Sequence, residues 1–288
     1  MLTSHDRILT THVGSLPRDE MVTEGVFAQE EGTLSDPAAL AKTIATAVHQ
    51  VVRAQVDTGI DIVSDGEQSK ISYSTYIKHR LNGFGGGAKR EPAQDLLDYP
   101  GILERRAKLG TRSTFLPPVC QGEISVKTTA PLEADIVNLK GAAAEAGVTE
   151  AFMNAASPGV LALFQLNEHY PTHEDYLNAL AEAMRVEYEM IVNSGLLLQI
   201  DSPDIGMGRH TIFRHKTDAE FQKLVELHIE VLNHALRNVP ADRLRLHICW
   251  GNYEGPHHCD IPLERVLPAV WKAKPQALLF ETSNPRHA

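Results

Sequence analysis

Seven short β-rich apolar runs alternate with longer segments of helical period along this chain, and that alternation most constrains the fold. Strands joined through helices run parallel, because each helical crossover returns the chain to the same end of the sheet. The runs are RILTTHVGSL, IDIVSDGE, VCQGEISV, TEAFMNAASP, LLLQIDSP, LRLHICW and ALLFETS. Between the first two, Ala39–Thr58 has helical period and is closed by Gly59. Leu177, Leu180, Met184, Tyr188 and Ile191 share a helical face before the fifth run. Phe221, Leu224, Val225, His228, Leu232 and Ala235 do so before the sixth.

Two architectures fit such a series, an open doubly wound sheet and a (β/α)8 TIM barrel. They differ in where polar groups fall. A barrel gathers every strand's C-terminal end around one pocket, whereas an open sheet spreads those ends along an edge. Polar or titratable residues stand at nearly every strand end: His12 and Ser15, Asp65 and Glu67, Glu123, Asn154, Asp201, His247 and Cys249, and Glu281. The barrel is therefore the expected fold, as one domain over residues 1–288. Its eighth β/α unit is missing from the run count. A Gly- and Pro-rich stretch at about 83–118 breaks the rhythm and is expected to form an excursion over one face of the barrel.

The formal charge of −10, with no basic cluster longer than two residues, argues against a nucleic-acid partner. No stretch nears the ~20 apolar residues of a bilayer span, and no signal-peptide pattern opens the chain. A cytoplasmic protein is expected. Cys120, Cys249 and Cys259 are too few and too scattered for a disulfide framework, so reduced thiols are the expectation.

In LHIC, residues two apart on a strand point to the same face, which pairs His247 with Cys249. Imidazole with thiolate favours zinc over oxygen-seeking cations, and Glu281 at the next strand end can add an oxygen. His257, His258 and Cys259 follow in a Gly/Pro loop, either as further ligands or, the favoured reading, as solvated loop residues. Gly14-Ser15 opens a turn whose amides suit an anionic group or simply turn the chain. Asp65 and Glu67 flank a glycine and read either as paired carboxylates or as simple turn residues. Asp201 ends an apolar strand, where a carboxylate needs a cationic partner from protein or substrate.

The stretches TTHVGSLPR, GIDIVSDGEQSK, FMNAASPGV, LQIDSPDIGMGRH, CWGNYEGPH and LLFETSNPRHA together resemble the catalytic barrel of the cobalamin-independent methionine synthase family. They resemble still more its single-barrel relative, epoxyalkane:coenzyme M transferase. The resemblance implies a zinc-dependent transferase that turns a substrate thiol into thiolate and alkylates it. It places the zinc on His247, Cys249 and Glu281, and the amino acid part of homocysteine on Gly14, Ser15, Glu67 and Asp201. The family's late cysteine ligand has no counterpart here. A trimmed chain would account for that and for the eighth unit together. The expected partners are a small thiol, homocysteine or coenzyme M, and a methyl or alkyl donor. For an epoxide donor, His12 and His210 are the candidate proton donors. Two alternatives stand beside this reading: a metal-independent decarboxylase-type barrel, which predicts several pocket arginines, and a non-catalytic thiol- or metal-binding barrel.

Overall fold

The computed structural model of the chain describes residues 1–108, 116–252, 255–283 and 287. Residues 109–115 of the expected excursion lie outside the described residues, as do 253–254, 284–286 and 288 of the resemblance stretches. In chain order the elements are α1 (Glu20–Glu31), α2 (Pro37–Asp57), β1 (Ile62–Val63), β2 (Leu81–Gly85), α3 (Gln94–Leu97) and α4 (Pro100–Lys108). There follow β3 (Val119–Val126), α5 (Ala130–Glu145), β4 (Glu150–Ala156), α6 (Pro158–Phe164) and α7 (His173–Asn193). The last are β5 (Leu197–Asp201), α8 (Asp218–Ala235), β6 (Leu244–His247), α9 (Leu263–Val270) and β7 (Ala277–Leu279). None of the described helices is long and apolar enough to cross a membrane.

Local chemistry starts the helices where the sequence signals them. The Asp36 carboxylate accepts the Ala39 N–H at 2.9 Å and Pro37 occupies the first turn, so α2 begins two residues before its apolar period. At α8 the Thr217 hydroxyl accepts the Glu220 N–H at 3.3 Å while the Glu220 carboxylate accepts the Thr217 N–H at 2.8 Å. This reciprocal cap satisfies two amides that the helix itself leaves unpaired. Thr217→Ala is expected to lower stability by about 1 kcal/mol, read as a lower urea midpoint at unchanged slope.

Five strands form one parallel sheet in the order β1-β4-β5-β6-β7. Every residue of β5 is buried, as are six of the seven in β4, the burial of strands covered on both faces. At the sheet's open side Thr11 adds a single parallel bridge to Ile62, so the expected first strand is reduced to that bridge. The expected third strand is also corrected. VCQGEISV pairs antiparallel with β2 in a separate two-stranded ribbon. Gln121, Glu123, Ser125 and Val126 are not buried, which suits a one-sided ribbon and not a strand covered on both faces. Among the described residues the expected barrel with its eighth unit missing is seen as a curled, open half-barrel of five parallel strands.

The N-terminal segment is tied to three strands of this sheet. The Asn154 amide on β4 donates to the Val13 carbonyl at 3.0 Å, and the Gln199 amide on β5 donates to the same oxygen. Arg245 on β6 donates to the Thr11 hydroxyl at 3.2 Å and the His12 carbonyl at 3.1 Å, its guanidinium lying over the Phe152 ring. On the flank of the sheet, buried Arg80 bridges Asp135 of α5 at 2.6 Å and Glu187 of α7 at 3.0 Å. The Tyr76 hydroxyl donates to Glu187 at 2.6 Å.

Candidate active site

The C-terminal ends of the parallel strands open onto a cavity of about 720 Å³. Gly14 and Ser15, Glu67, Asp201, His247 and Cys249 all line it, so six of the nine residues expected at the site share one cavity. They arrive from four places in the chain: the N-terminal segment, the loop after β1, the end of β5 and the end of β6.

Glu67 is placed by a turn that the sheet itself barely supports. The buried Gln55 amide on α2 brackets Ser64, donating to its carbonyl at 2.8 Å and accepting its N–H at 3.0 Å, in the manner of a missing strand neighbour. The Asp65 carboxylate then accepts the Glu67 N–H at 3.0 Å, and Glu67 takes a positive φ of 56°. Left-handed backbone at a non-glycine residue costs free energy, and such strain gathers at functional sites. Ser15 donates to the Glu67 carboxylate at 2.6 Å. Position 14 is closely packed: a Cβ there would lie 3.3 Å from Glu67 Oε1 and 3.4 Å from the Asn154 amide, so these side chains would have to give by a few tenths of an ångström. Burial pushes the Glu67 carboxyl up from its ordinary value, Lys70 opposes this, and Asp201 adds to it.

Asp201 is the hub. It accepts the Gln199 amide at 2.8 Å and the Asn154 amide at 2.9 Å, and faces His247 Nδ1 at 2.9 Å. Burial alone would lower the His247 pKa, but hydrogen bonds with Asp201 and Cys249 outweigh it and raise it to about 9. Strand alternation holds, since imidazole and thiol from positions 247 and 249 meet on one side. The Gly251 N–H donates to the Cys249 sulfur at 3.2 Å.

Three expected residues do not join them. Glu281 is exposed, with its carboxylate against His287 Nδ1 at 2.8 Å and accepting from the Ser283 hydroxyl. His210 is buried beside Asp260 at 3.3 Å and does not line the cavity. His12 does not line it either, and Arg245 is bonded to its carbonyl. The described His247, Cys249 and Glu281 therefore do not form a ready three-ligand cluster. The backbone nevertheless suits one, because His247 pairs with Leu279 in the parallel ladder, which sets Glu281 level with Cys249 on the neighbouring strand.

Sequence reasoning missed part of the lining. Tyr73, Arg90, Leu163 and Phe164 complete an apolar wall, and the Arg90 guanidinium lies 4.0 Å over the Phe164 ring. Gln199 was detectable, standing two before Asp201 on the same strand face. Arg90 sits in the Gly/Pro-rich excursion, where no periodicity signals direction.

Parallel strands that deliver imidazole, thiol and carboxylates from their C-terminal ends into one cavity define an α/β half-barrel built like an enzyme. Residues 8–92 match the cobalamin-independent synthase catalytic domain. The chain is 26% identical over 276 residues to a methionine synthase of Saccharolobus solfataricus, covering 94% of this chain and 72% of that one. It is 24% identical over 247 residues to a methionine synthase of Sulfurisphaera tokodaii, covering 85% of this chain and 62% of the relative. The fold matches a B12-independent methionine synthase from Shewanella sp. W3-18-1, solved with selenomethionine, at TM-score 0.67 and 19% identity over 93% of this chain and 72% of that one. The chain is thus similar in sequence and in fold to cobalamin-independent methionine synthases.

Proposed function

We propose that the chain is a zinc-dependent methyltransferase acting on the thiol of homocysteine. The observation that carries this reading is the placement of two buried carboxylates, Glu67 and Asp201, in the cavity that also holds the His247–Cys249 pair. Paired carboxylates suit a substrate ammonium, which an amino acid thiol has and coenzyme M lacks. A sulfonate would meet the wrong sign of charge on that wall. A decarboxylase-type barrel is disfavoured, because among the described residues the cavity lining holds one arginine, Arg90.

His247 and Cys249, with Glu281 turned inward, would hold the zinc. The donor set of imidazole, thiolate and carboxylate suits that ion. When bound, zinc lowers the pKa of the incoming thiol so that a sulfur nucleophile exists at neutral pH. The chain's own residues do the rest. Glu67 and Asp201 take the ammonium, Gly14 and Ser15 crowd the substrate toward them, and Asp201 fixes the His247 ring through Nδ1. Tyr73, Leu163 and Phe164 keep water from the sulfur. A cytoplasmic setting, where thiols stay reduced, suits this pair.

Arg90, across the cavity from the carboxylates in chemical character, suits an anionic group on the methyl donor. Arg90→Ala is expected to raise KM for an anionic donor between about 10- and 100-fold with kcat nearly unchanged, the effect of losing one charged hydrogen bond. Steady-state kinetics with a neutral donor would show no such change. The homocysteine assignment is tested by calorimetry on the zinc-loaded chain. L-homocysteine should bind and 4-mercaptobutyrate, which lacks the ammonium, should bind far more weakly. Equal affinities, or tighter binding of coenzyme M, would overturn it.

A further inference from the structure

The loop after β6 carries metal-ligating side chains that the cavity does not use. We propose that Asp98, His258 and Cys259 form a second divalent-cation site, selective for zinc, that clamps the excursion to this loop. Asp98 caps the C-terminal end of α3, and His258 and Cys259 approach it from 160 residues further along the chain. The Asp98 Oδ2 atom lies 2.9 Å from His258 Nε2 and 3.8 Å from Cys259 Sγ, and one ligand atom from each residue falls within 4.8 Å of the others. Donors around a tetrahedral zinc, with bonds of about 2.0–2.3 Å, stand roughly 3.3–3.6 Å apart, so small side-chain rotations bring these three into place. A sulfur beside an imidazole nitrogen selects zinc and disfavours magnesium and calcium, which seek oxygen. The fourth position faces solvent and would take water, since Asp98 and His258 are partly or fully exposed.

Two further observations support a built site. The ion pairs of Asp98 among the described residues are with His258 alone, so no lysine or arginine occupies the place of a cation there. Beneath it a buried network already joins the same two segments. Asp95 of α3, His210 and Asp260 cluster with ligand atoms within 4.8 Å, and Asp260 also meets His257 at 3.1 Å and His287 at 2.9 Å. That network orders α3 against the loop before any ion arrives, which reduces the ordering cost of binding. With Asp260 already facing three histidines, the outer triad is the one with room for a cation. Ala93, Leu96 and Arg90 line the cavity from this segment, so an ion on Asp98 would hold one cavity wall in place.

The test uses zinc itself, counted by metal analysis after chelation and reloading, on a Cys249→Ser background that disables the cavity pair. The result is then readable whether or not the cavity binds metal. One zinc per chain should remain, and adding Cys259→Ser should remove it. Asp98→Asn, an exposed and conservative change, should weaken zinc by more than the about 10–100-fold typical of losing a mere supporting hydrogen bond. With cobalt as probe, the near-ultraviolet thiolate charge-transfer band should persist in Cys249→Ser and vanish in Cys249→Ser/Cys259→Ser. A Cys249→Ser chain with no bound zinc would overturn the proposal. So would zinc or a cobalt–thiolate band that survives loss of Cys259.

Discussion

Cys249→Ser is expected to lower kcat/KM for methyl transfer by about 10³-fold or more, with loss of the zinc proposed for the cavity. The magnitude follows from the several kcal/mol that a metal contributes when it readies a nucleophile. A hydroxyl has nearly the size of the thiol, so the change isolates ligand chemistry. The His247–Asp201 bond at 2.9 Å does not pass through the sulfur and should survive, leaving the fold intact. Homocysteine should still enter, because Glu67 and Asp201 are untouched. The diagnostic pattern is thus retained ammonium recognition with lost turnover. Activity within tenfold of the parent chain would reject the assigned ligand.

The second large effect concerns stability. Arg80→Ala is expected to cost about 3–5 kcal/mol in urea unfolding, the price of stranding buried carboxylates without their cation. Asp135 and Glu187 both face Arg80, and all three side chains are at most 7% exposed. Burial already pushes the Asp135 carboxyl up, with Arg80 holding it down. Without Arg80 its folded pKa rises further above the unfolded value. Such a group contributes stability below its unfolded pKa and loses it as pH rises through the folded one. The deficit should therefore be largest near about pH 8 and narrow toward about pH 5. A pH-independent loss would point to packing alone.

The strand ends were legible because polar residues interrupt apolar runs at one end only. This is why the sequence alone groups Glu67, Asp201, His247 and Cys249, and why they share a cavity. Closure of the barrel was not legible. VCQGEISV has the composition of a strand, but which partner it takes depends on Leu81–Gly85, whose glycines hide it from propensity. A Cβ at Gly83 would stand 2.8 Å from two carbonyl oxygens of the neighbouring strand, so the ribbon needs the residue that weakens its own signal. His210 looked available from sequence since nothing in GRH reveals Asp260, fifty residues on, as its buried neighbour. Arg90 gave no signal because its direction is set by tertiary packing on Phe164.

The tethering of the N-terminal segment also bears on how the molecule is made. Arg245 meets Thr11 across 234 positions of chain, and Gln199 meets Val13 across 186. On the ribosome, residues 11–15 emerge long before β6 yet find their last anchor only after β6 has been translated. Assembly of the substrate pocket is consequently a late event, and a nascent chain arrested before Arg245 should bind no thiol even where its helices have formed.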